Sequence, residues 1–71
     1  MVIKGKALTE EKLRTYWGKV VRIVTVYGDT YEGEVDFTSS ADNDPEEACL
    51  TVIELAMDIG LSEIETIEII K

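Results

Sequence analysis

Residues 19–37, KVVRIVTVYGDTYEGEVDF, constrain the fold more than any other stretch: two β-rich runs meet at a Gly-Asp pair, and a second glycine follows five residues after the first. β-Branched and aromatic residues suit a pleated, half-buried surface, and Gly-Asp between two such runs is turn chemistry. The first run, residues 19–27, is apolar on both parities, with Val21 and Ile23 on one side and Val20, Val24 and Val26 on the other. A strand apolar on both faces has to be covered twice, so a helix or a second subunit is expected across it. The second run, residues 30–38, alternates cleanly: Tyr31, Val35 and Phe37 point one way, and Glu32, Glu34 and Asp36 form an acidic outer row. Gly33 has no side chain to pack, which fits a bend or bulge. The expectation is a bent hairpin at the heart of a small β-barrel.

The flanking segments complete a single domain over residues 1–71, with a tail over 1–8, a helix over 9–17 and the barrel over 19–70. Thr9 is a good N-cap, Glu10 and Glu11 complement the dipole of the first turn, and Leu8 with Leu13 has the spacing of a hydrophobic staple. Gly18 supplies the stop. Leu13, Tyr16 and Trp17 make one apolar face, expected to lid an open end of the barrel with Trp17 buried. Tyr16 and Trp17 are assigned to packing rather than to base stacking, because so short a helix needs tertiary contacts to exist. Downstream, SSADNDPEE (residues 39–47) is a polar loop. It lacks the mid-loop glycine and terminal Glu of an EF-hand, so its acids read as a solvated turn around Pro45 and no metal site is assigned. Strands are expected over 48–55, 56–61 and 65–70, the last with Ile67 and Ile69 inward, and one tight helical turn over 61–64.

Chemistry is sparse. The chain has no histidine, and its lone cysteine, Cys49, lies in an apolar run (ACLTVI) and reads as a small buried hydrophobe. Its glycines match neither a Walker loop nor a dinucleotide fingerprint, so no enzyme and no cofactor is expected. No apolar run is long enough to span a bilayer, and MVIKGKALTEE has no long apolar stretch of a signal peptide; a cytoplasmic protein is expected. The net charge is −8, but the signs are segregated: residues 1–22 hold six of the seven basic residues and a local +4, while residues 23–71 carry a local −12. Such a split suits head-to-tail association, one subunit's basic end meeting the next one's acidic flank.

A short helix followed by five strands, with GDTYEG at the first turn, resembles the Sm-like (LSM, Hfq-like) small barrels from about Thr9 to Ile70. The family's first motif corresponds here to Gly28, Gly33, Val35 and Asn43. The resemblance implies a mainly β, five-stranded SH3-like barrel with a short N-terminal helix. The motifs depart from the family at Ser39, where an aspartate is usual, at Ala41, where an aromatic or histidine is usual, and at Ile59-Gly60, where an Arg-Gly pair is usual. In the family a stacking side chain and that arginine hold a uridine that the asparagine reads. Stacking is worth about 1–3 kcal/mol per base and phosphate contacts supply most of the affinity, so loss of both removes the chief contributions.

What the resemblance still implies is edge-to-edge association into rings. In such a barrel the strand before the last loop and the final strand present open edges, which here would place Ile59, Ile70 and Val24 at an oligomer interface; the alternative is that the N-terminal tail folds back over one edge and keeps the chain monomeric. The expected function is therefore a non-enzymatic assembly or protein-interaction module forming a homo-oligomer, with a protein partner as the other possible occupant. The alternative is an RNA-binding protein with a displaced or weakened site, using Asn43 with Lys12, Arg14, Lys19 and Arg22, and with Lys4 and Lys6 nearby.

Overall fold

The computed structural model describes residues 2–42 and 47–71. Six strands and one α-helix are present: β1 (Val2–Lys4), α1 (Glu10–Arg14), β2 (Val20–Thr25), β3 (Thr30–Thr38), β4 (Cys49–Val52), β5 (Met57–Gly60) and β6 (Ile64–Ile69). They form one antiparallel sheet in the order β1-β6-β2-β3-β4-β5.

The β2–β3 hairpin forms where its composition places it. The buried Thr25 hydroxyl accepts hydrogen bonds from the Tyr27 and Asp29 amides, each at 3.3 Å, which closes the turn around Gly28. β3 then serves two neighbours in succession: Thr30 to Glu34 pair with β2, and Val35 to Thr38 pair with β4. Gly33 lies just before the changeover at φ +154°, and a Cβ there would sit 3.0 Å from Val52 Cγ1. A residue without a side chain lets the strand bend against β4. Val35 and Phe37 are buried, and Glu32, Glu34 and Asp36 are exposed, as the alternation requires.

Several expectations are corrected. The sheet is not closed into a barrel, and it has six strands rather than five. Residues 2–4 form a strand instead of a loose tail, pairing Val2 with Glu68, Ile3 with Ile67 and Lys4 with Thr66. The outer edge of β6 is therefore covered by β1, and β5 pairs only with β4. The helix is shorter than predicted: after Leu13, whose amide bonds to the Thr9 carbonyl, the bonds tighten to the i−3 type, Thr15 to Lys12, Tyr16 to Leu13 and Trp17 to Arg14. Trp17 consequently leaves the buried face and is 58% exposed, whereas Leu13 and Tyr16 are buried. Finally, Ile69 stands on the inner face opposite Val21 as expected, but at the end of β6 it is 46% exposed, and Ile64 and Ile67 fill the core instead.

The helix start is as predicted: the Thr9 hydroxyl accepts from the Lys12 amide at 3.2 Å. Leu8 and Leu13 are both buried. A five-residue helix is unstable alone, so the burial of Leu13 and Tyr16 against β2, β3 and β6 side chains such as Val21, Val35 and Ile67 holds it in place. Each fully buried aliphatic side chain is worth roughly 1.5–3 kcal/mol.

Candidate functional site

Three surfaces stand out among the described residues. Asn43 lies outside the described residues, as do Asp44, Pro45 and Glu46. The loop that leads to them is anchored, because the Ser40 amide and hydroxyl both donate to the Glu10 carboxylate on α1, at 3.3 and 2.6 Å.

The basic residues stand on different elements. Lys12 and Arg14 are exposed on α1, and Lys19 is exposed just before β2. Arg22 stands in the outer row Val2–Glu68–Arg22–Glu32 across β1, β6, β2 and β3. Its guanidinium donates to Glu32 at 2.6 Å and to Glu68 at 3.4 Å, and the Glu32 contact holds its pKa above the ordinary arginine value. A cation bracketed by two carboxylates presents little positive field to a polyanion.

The first surface is one that sequence reasoning missed. Trp17 and Phe37 pack tilted, with ring centroids 6.1 Å apart, and the Arg14 guanidinium carbon lies 5.3 Å from the Phe37 centroid. With Thr38 and Ser39 they line a shallow groove of about 410 Å³. The signal was present but unreadable without the turn type. At three residues per turn, Leu13 and Tyr16 eclipse one another and Trp17 falls a third of a turn away.

A second groove, of about 540 Å³, runs between the end of β1 and the loop before β6, lined in part by Lys4, Lys6, Val26, Ile64 and Glu65. The third surface is the pair of sheet edges. Of the expected interface residues, Ile59 is 2% exposed and points into the core, Val24 is half-buried on the outer face between Thr30 and Thr66, and Ile70 is 38% exposed with its amide bonded to the Val20 carbonyl. The edge of β6 is not open, because β1 covers it.

Cys49 is buried, and desolvation pushes its thiol pKa up. Burial likewise raises that of Tyr16. Both shifts disfavour the ionised form, the opposite of what activates a nucleophile. Among the described residues no group of three or more His, Cys, Asp or Glu side chains could hold a metal ion, and no helix is long and apolar enough to cross a membrane. Comparison of the chain with protein-family models, curated proteins and solved structures finds no match.

Proposed function

We propose that this protein is a non-enzymatic assembly module whose small open sheet serves as a self-associating scaffold. The observation that carries the reading is the sheet itself. It ends in two strands with one neighbour each, and apolar side chains stand exposed beside them, Val2 at one end and Ile53 and Leu55 at the other. Unpaired strand edges are templates for another chain, and exposed apolar residues grouped beside them favour covering both together. The Sm-like resemblance supports the same reading, since without β1 the two edge strands would be β5 and β6, the pair that family leaves open. Because β1 covers β6, pairing of β5 with β6 is not available to the fold as it stands.

A second reading, weak RNA binding, is favoured by one observation: Trp17 is exposed beside Arg14, as a stacking side chain next to a cation would be. One experiment weighs the two. Light scattering across protein concentration, with and without a single-stranded RNA pool, should give a mass that rises with protein alone. Titration of Trp17 fluorescence with the same RNA should show quenching only at low salt. A monomer mass at high micromolar protein overturns the assembly reading. RNA binding at low salt, measured by filter retention of labelled RNA and lost in Trp17→Ala, would establish the second.

A further inference from the structure

The two ends of the sheet carry opposite charge on the same face. β1 holds Lys4, followed by Lys6, and both are exposed; β5 holds Asp58, preceded by Glu54, and both are exposed. Lys4 is opposite Thr66, which is opposite Val24, so it stands on the outer face with Arg22. Asp58 is opposite Thr51, which is opposite Asp36, so it too belongs to the outer face. The two ion pairs among the described residues both belong to Arg22, which leaves these four charges outside any such pair. Neither strand contains proline, and β5 contains no lysine, the devices by which monomers blunt an edge. Both are short, at three and four residues.

We propose that the β5 edge of one copy pairs with the β1 edge of a second copy of this chain, continuing the sheet from subunit to subunit and setting Glu54 and Asp58 against Lys4 and Lys6. The inference rests on the assembly reading above and names its surface. Each subunit uses a different edge toward each neighbour, so the contact is heterologous and generates a ring if its rotation closes and a filament if it does not. Pairing satisfies the outward backbone groups of both strands and covers Val2, Ile53 and Leu55. Two copies of charge −8 repel at long range, so the local attraction acts once salt has shortened the screening length.

The test is sedimentation equilibrium of the full chain at about 0.15 M salt, with circular dichroism as the folding control. Lys4→Glu with Lys6→Glu should weaken association at least about tenfold, and so should Glu54→Lys with Asp58→Lys, because each sets like charges against one another. The chain carrying all four substitutions should recover wild-type association, since the pairing is restored with reversed sign. If the wild-type chain associates and neither pair of substitutions weakens it, the contact lies elsewhere: this inference falls and the assembly reading stands. A wild-type chain that stays monomeric at high micromolar concentration overturns both. A further variant, Val2→Cys with Glu68→Cys, pins β1 to β6 through residues that face each other across the two strands. Its oxidised form should associate as the wild type does; loss of association on oxidation would mean that β1 has to leave, and would overturn the inference.

Discussion

Leu13, Tyr16 and Trp17 lie within five residues of one another, yet two are core and one is surface, and the pitch of a single turn makes the difference. An α-helical continuation to residue 17 would bring Trp17 onto the face of Leu13, four residues earlier. The i−3 bonds from Thr15 onward turn it away instead, and the Thr15 hydroxyl, donating to the Lys12 carbonyl at 2.6 Å, helps to end the helix. Stability should record the difference. Leu13→Ala should cost about 2–5 kcal/mol, the usual range for emptying a filled core site. Trp17→Ala should cost no more than about 0.5–1.5 kcal/mol, the value of an aromatic pair such as that with Phe37. Urea midpoints of the two variants check this, and equal losses would mean that Trp17 is buried in solution.

Among the elements, what was legible followed local chemistry. The Thr9 cap, the turn between residues 25 and 30 and the alternation of β3 are each specified by residues within one turn or one pleat of each other, and all three stand where the sequence puts them. β1 was not legible, because three residues, Val-Ile-Lys, carry no periodicity from which to infer a strand. What fixes it is a partner more than sixty residues away and a close approach that only the fold reveals. Gly5, immediately after β1, lies so near β6 that a Cβ would overlap the Ile64 carbonyl oxygen. Gly5→Ala should therefore loosen β1 while leaving the central hairpin intact. Hydrogen exchange should show it: the amides of β1 and of residues 66–68 lose protection, and those of the β2–β3 pairing keep theirs. Uniform protection in the variant would mean that β1 tolerates the methyl group and is not held by this contact.

At the scale of the molecule, the sequence conveyed a mainly β domain bent at Gly33 but pointed to a barrel the structure does not close, because closure is set by pairings between strands far apart in the chain. Of the candidate site, Lys12, Arg14, Lys19 and Arg22 are near in sequence and stand on or beside α1 and β2, but Glu68 reaches Arg22 from the far end of the chain, which no local pattern shows. Charge, by contrast, was fully legible, and its consequence is a stability that rises with salt. Fifteen acidic residues face seven basic ones, and the ion pairs among the described residues, Arg22 with Glu32 and with Glu68, join side chains that are 31–48% exposed. Exposed pairs of this kind contribute little because solvent screens them, so added salt costs little there. Screening the uncompensated acids gains more, since compaction of a chain with net charge −8 brings like charges together. Raising salt from about 0.01 to 0.15 M shortens the screening length from about 30 to 8 Å. A gain of about 1 kcal/mol, which in a domain of this size is roughly 4–8 °C in Tm, is expected. The measurement is calorimetry at low protein concentration, where association does not add to the shift. A Tm that falls with salt would mean that the Arg22 pairs outweigh the repulsion, and Arg22→Ala, which should otherwise change stability little, would then be strongly destabilising.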